Sequence, residues 1–165
     1  MRCGYHILAA VLATVVAAGP AAAFQNQEEA ARFYREFTSA VPDAVSWQTL
    51  ANLDLDFVAH GPGRTEFKLT YPPALRQLDG TRVKMLGYIF PLEGGERHAR
   101  FLLSAYPPGC PFCLPGGPRE LVEVECDTPL AYSQEAILLE GTFHLLHDDP
   151  SGMFYRLTAA QALPR

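Results

Sequence analysis

Residues 82–92 read Arg82-Val83-Lys84-Met85-Leu86-Gly87-Tyr88-Ile89-Phe90-Pro91-Leu92. Side chains alternate across a strand, so Val83, Met85, Gly87 and Ile89 share one face, while Lys84, Leu86, Tyr88 and Phe90 share the other. The second half is apolar on both faces, as expected for a strand covered on two sides. Gly87 supplies no side chain to pack and marks a bend or a close backbone approach.

The same period of two continues downstream, punctuated by turn residues. Asp79-Gly80 leads into the strand and Glu93-Gly94-Gly95-Glu96 ends it. A second strand covers residues 100–105, and a Pro- and Gly-rich loop follows from 106 to 118. In residues 121–126, Val122, Val124 and Cys126 take one face, with Glu123 and Glu125 on the other. Residues 136–146 align Ile137, Leu139, Gly141, Phe143 and Leu145, and a turn at 148–152 leads into a last strand at 153–158. Several short strands with interior glycines at Gly87 and Gly141 predict a mainly β fold, a small OB-like antiparallel barrel. A small β-sandwich is the alternative.

Upstream the pattern changes. Residues 24–45 predict an N-terminal helix and linker, with Asn26 as N-cap, Glu29 three residues later, and Pro42 past the end. Ala30, Phe33, Tyr34, Phe37 and Val41 form one apolar stripe suited to packing on the domain body. The barrel-like domain is placed at residues 46–165. Ser46 can cap a short turn carrying Trp47 and Leu50, and Trp47 is expected to plug the barrel mouth. Between Pro42 and Pro73 the signal is weak, and His60-Gly61-Pro62-Gly63 reads as a turn.

Residues 1–23 hold Arg2, an apolar run from 7 to 18, and Ala21-Ala22-Ala23. This is the pattern of a secretory signal peptide cleaved after Ala23, and its apolar run falls short of the roughly 20 residues that span a bilayer. Removing it from 165 residues leaves 142, with one Arg and one Cys lost, so the net charge moves from −5 to about −6 and four cysteines become three. A periplasmic or secreted protein that does not span the membrane is expected. Its acidity and scattered basic residues argue against nucleic-acid binding.

The compact chemical feature is the loop Cys110-Pro111-Phe112-Cys113. The pair can close a structural disulfide, hold a soft metal as thiolates, or cycle between dithiol and disulfide. Pro111, Pro115 and Pro118 deny it the helix that lowers the thiol pKa in thioredoxin-like sites. In a simple meander, the strand ending at Ala105 and the strand through 136–146 run the same way. His144 and His147 then return to the end that carries the cysteines, while His98 and Cys126 go to the far end. Cys110, Cys113, His144 and His147 are therefore a candidate zinc or copper site, provided the chain bends near Leu146. Cys126 is expected to be an inert core thiol.

Asp54 and Asp56 lie in the weakly patterned stretch and Asp148-Asp149 in a turn, so neither pair suggests acid–base catalysis. There is no G-x-S-x-G elbow, phosphate-cradling loop or H-E-x-x-H motif. No catalytic residue is assigned, and the expected activity is non-enzymatic binding by an exported protein. Transition-metal handling is the specific version. The alternatives are a thiol-redox protein using Cys110 and Cys113, or a peptide- or glycan-binding barrel to which Tyr88, Phe90 and Tyr106 contribute.

The string Asp79-Gly80-Thr-Arg-Val83-Lys-Met-Leu-Gly87-Tyr-Ile-Phe-Pro91-Leu92 resembles a family of small exported bacterial proteins, domain-of-unknown-function family 3299 (DUF3299). The Cys110–Cys113 loop with Gly116-Gly117-Pro118, Val122-Glu-Val124, Gly141-Thr-Phe-His-Leu and Phe154-Tyr-Arg-Leu157 are similar to it too, over roughly residues 47–157. The resemblance implies an exported protein, with another exported protein or an envelope transporter component as partner. It brings no catalytic residues.

Overall fold

The structure is a computed structural model and describes residues 41–59, 65–107 and 117–164. The predicted signal peptide, most of the predicted N-terminal helix, the 60–63 turn, Cys110 and Cys113 lie outside these residues. Among the described residues no helix is long and apolar enough to cross a membrane.

The first element among the described residues is a short helix, α1 (Trp47–Ala51), with Ser46 at its N-cap accepting a hydrogen bond from the Gln48 N–H at 3.2 Å. A hairpin follows, β1 (Asp54–Ala59) with β2 (Thr65–Thr70), paired from Asp54–Thr70 to Ala59–Thr65. This corrects the reading of the stretch around Asp54 and Asp56 as weakly structured. Alternation of polar and apolar residues is confined to residues 54–57 in β1 and 66–70 in β2, runs too short to mark the strands in the sequence. One helical turn, α2 (Pro73–Arg76), then leads to the barrel.

The barrel strands are β3 (Arg82–Pro91), β4 (Arg97–Ser104), β5 (Leu121–Ala131), β6 (Ile137–Leu145) and β7 (Tyr155–Leu163). They close in the order β3-β4-β5-β7-β6 and back to β3. The expected small barrel of OB type is present, and the described helices are single short turns, so the sheet and not the helices defines it. It is not antiparallel throughout, because β5 and β7 run parallel. A closed ring of five strands cannot alternate direction at every step, so one neighbouring pair must be parallel. β6 is also not the meander neighbour of β5. It crosses to close against β3, and β7 returns between them. Strand directions nevertheless hold as expected, with β4 and β6 both ending at what we term the upper end. β5 and β7 also run on to Ala131 and Leu163, past the predicted limits.

The interior is filled by Met85, Ile89, Phe101, Val124, Phe143 and Leu157, each at most 1% exposed. The two interior glycines permit close strand approach. A Cβ on Gly141 would lie 2.9 Å from the Thr158 carbonyl oxygen, and one on Gly87 would lie 2.9 Å from that of Ser104. α1 covers the upper mouth as expected. Trp47 is fully buried and its indole Nε1 donates to the Leu86 carbonyl at 2.7 Å, while Tyr155 donates to the Leu50 carbonyl at 2.6 Å.

At the lower end, His98 is 1% exposed and neither ring nitrogen has a hydrogen-bond partner among the described residues. Leaving such atoms unpaired opposes stability. Cys126 is a buried free thiol, pushed up to about 11 by burial and by neighbouring Asp127, so it stays protonated at neutral pH.

Candidate functional site

A barrel of five strands has no room for a ligand once its side chains fill it, so binding is confined to its outside and its ends. The upper end carries a cleft of about 540 Å³. Leu55 and Leu69, directly paired across the β1–β2 hairpin, form one wall. Met153 and Phe154 form another, Pro118 closes a third side, and His147, Asp148 and Asp149 stand at the rim. A cleft of this size with apolar walls and a few polar groups suits a small ligand or a side chain of a larger one.

Most of this cleft belongs to the β6–β7 connection, which is held at three points. Its two ends are tied where the Leu146 N–H donates to the Phe154 carbonyl at 2.9 Å. Tyr71, 3% exposed, places its hydroxyl against the carbonyls of Leu146 and Phe154. Burial pushes that phenol up to about 12, so it remains a donor. Within the turn, Asp149 accepts from Ser151 through Oδ1, at 2.9 Å for the backbone N–H. Ser151, the Met153 N–H and nearby Arg156 hold the Asp149 carboxyl below the usual carboxylate range.

The third point is an ionic cluster on the outer face of the barrel. Glu123 of β5, on the face opposite Val122 and Val124, is nevertheless 1% exposed and lies between Arg100 of β4 and Arg156 of β7. Arg156 also donates to Asp149 Oδ2 at 3.0 Å. Its guanidinium is held above its ordinary pKa, chiefly by the hydrogen bond to Glu123. Glu123 and Arg156 were missed as site residues because only the register places them side by side.

The predicted metal-ligand histidines have separate surroundings. His144 lies on β6, faces outward opposite Arg156, and has Nε2 2.8 Å from Thr158 Oγ1. His147, beyond the strand end, is exposed and meets Tyr71 edge-on with ring centroids 5.2 Å apart. Strand β6 ends at Leu145, so His147 lies beyond it while His144 is still on it. Among the described residues, no three His, Cys, Asp or Glu side chains are grouped to hold a metal. The strand ends flanking the cysteine loop do open at the upper end, where Pro118 and His147 line the same cleft.

A five-stranded OB-type barrel, plugged by a short helix and carrying an apolar cleft at its upper end, is the class that this geometry defines. The chain belongs to the family described as protein of unknown function DUF3299, whose model matches residues 43–162. The string Asp79–Leu92 that carried the sequence resemblance, with strand β3 inside it, lies within that match. Among solved structures, the chain is similar to a DUF3299 family protein from Pseudomonas aeruginosa PAO1, with 21% identity and a TM-score of 0.49. The similarity covers 76% of this chain and 98% of that one. Comparison with curated proteins finds no match.

Proposed function

We propose that this is an exported, non-catalytic binding protein, released by cleavage after Ala23, which receives an apolar group of its ligand in the upper cleft. The observation that carries the reading is the cleft itself: about 540 Å³, walled by Leu55, Leu69, Met153 and Phe154, at the end of an otherwise filled barrel. Its geometry is tied down by Tyr71 and by the cluster around Arg156, which favours a preformed site over one assembled on binding. The neutral dye N-phenyl-1-naphthylamine tests it. The wild-type protein is expected to bind the dye saturably, and Met153→Trp, which fills the cleft, to weaken binding at least about tenfold. Leu92→Trp, at a 49% exposed position on the β3–β4 turn, is the control and is expected to bind as wild type. Equal binding by wild type and Met153→Trp would reject the reading.

A second reading is favoured by one observation, that His147 and Pro118, the latter flanking the cysteine loop, line the same cleft. In it, Cys110 and Cys113 with His144 and His147 handle zinc or copper, and the partner is another exported protein or an envelope transporter component. Protein prepared from the periplasm is then expected to carry metal that Cys110→Ser with Cys113→Ser removes. Metal content unchanged by those substitutions would sink it. A redox pair cycling between dithiol and disulfide is the rival for the same cysteines, and a reduction potential below about −300 mV would mark a purely structural bond instead.

A further inference from the structure

The wall of the cleft formed by the β6–β7 connection is linked to the body of the barrel by a chain of charges that begins at Glu123. On β5 this residue points outward, yet it is buried beneath two arginine side chains. Its Oε1 accepts from Arg100 Nε at 2.7 Å, and its Oε2 accepts from Arg156 Nε at 2.7 Å. Arg156 uses Nη2 to reach Asp149 Oδ2 at 3.0 Å, and Asp149 uses Oδ1 to hold the Ser151 N–H at 2.9 Å. A rigid guanidinium thus connects a buried carboxylate on one strand to the turn at the rim.

We propose that Glu123 is a positioning residue for the cleft: through Arg156 and Asp149 it fixes the 149–152 turn and so sets how tightly the cleft binds. The inference rests on the reading that the cleft is the ligand site. The geometry gives the relay a direction. Without the Glu123 carboxylate, Arg156 has a second acidic neighbour in Glu125, whose Oε1 lies 3.7 Å from its Nε and whose side chain is 48% exposed. Turning toward Glu125 draws Arg156 away from Asp149 and leaves the turn with its internal Ser151 bonds alone. Arg100 provides the contrast. It shares the Glu123 carboxylate, is 58% exposed, and has no bond to the turn.

Hydrogen exchange of the mature protein separates these roles. In Glu123→Gln, amides across residues 146–154 are expected to exchange about tenfold faster, and the naphthylamine dye to bind about tenfold more weakly, the size expected for losing one charge-assisted hydrogen bond. In Arg100→Gln both readouts are expected to stay within about twofold of wild type, because Arg100 is the exposed partner of Glu123 and has no bond to the turn. Asp149→Asn cuts the outer link without touching the buried Glu123 carboxylate and is expected to reproduce the Glu123→Gln exchange pattern, so the relay can be read even if Glu123→Gln does not fold. Unchanged exchange at 146–154 in folded Glu123→Gln, or in Asp149→Asn, overturns the relay. Faster exchange with dye binding undiminished overturns its link to the cleft. Failure of the wild-type protein to bind dye overturns the reading of the cleft, while exchange still decides whether the relay exists.

Discussion

Trp47→Ala is expected to destabilise the protein by about 3–5 kcal/mol, the cost of deleting a large buried aromatic side chain. The indole is fully buried and sits over the upper mouth of the barrel, so its removal opens a cavity that α1, tied to β7 by the bond from Tyr155 to Leu50, cannot collapse into. It also leaves the Leu86 carbonyl without its 2.7 Å donor. Trp47→Phe retains most of the volume but not the N–H, and is expected to cost about 1–3 kcal/mol for the carbonyl left unpaired. Thermal unfolding followed by circular dichroism should show Tm falling by about 10–20 °C for the alanine variant. A fall below about 3 °C would show that the side chain does not hold the mouth closed.

Gly141→Val is the second large effect. A Cβ at this position would stand 2.8 Å from Leu157 Cγ, 2.9 Å from the Thr158 carbonyl oxygen and 3.2 Å from Ala160 Cα. Two of these neighbours are backbone of the adjacent strand β7, which can move only by disturbing the β6–β7 ladder. Gly141→Ala is expected to cost about 1–3 kcal/mol as an overpacking change, and valine more, to the point of preventing barrel closure. Reducing the freedom of the unfolded chain works the other way, by about 0.4–1 kcal/mol, and is too small to offset the clash. Gly94→Ala isolates that term. Nothing lies within 4 Å of its Cβ position, so it is expected to be neutral or slightly stabilising. Urea unfolding of the three variants checks the order. A Gly141→Ala variant as stable as Gly94→Ala would remove the close-approach argument.

The glycines and Trp47 show why much of the fold could be read in advance. Alternation in residues 82–92, 121–126 and 136–146 reports which residues face inward, and that pattern depends only on neighbours in the chain. Gly87 and Gly141 stand where a side chain would meet the next strand, so their interior positions pointed to tight coiling. The β1–β2 hairpin was not legible because its alternation is short and a Gly-Pro-Gly segment interrupts it. β7 was cut short at residue 158, just before Ala159, whose φ of +47° interrupts the extended backbone.

The candidate site was less legible. His147 lies past the end of β6, at the end of the barrel where β4 finishes and β5 starts, and that much follows from counting strands; Cys110 and Cys113 lie outside the described residues. The cleft could not be anticipated, since Leu55, Leu69, Met153 and Phe154 come from two hairpins about 80–100 residues apart in the chain. Glu123 is the sharpest case. Alternation placed its side chain on the outer face, and it is there. Its burial depends on Arg100 and Arg156 from flanking strands.

By itself the sequence determined the barrel strands, their inward faces, their directions and the family, because each is written in local alternation, turn residues and a contiguous motif. Only the tertiary structure decided the order β3-β4-β5-β7-β6, the parallel pairing of β5 with β7, the cleft, and the link from Glu123 through Arg156 to Asp149. The physical reason is closure. A ring of five strands must contain one parallel pair, and where that pair falls determines which distant side chains become neighbours.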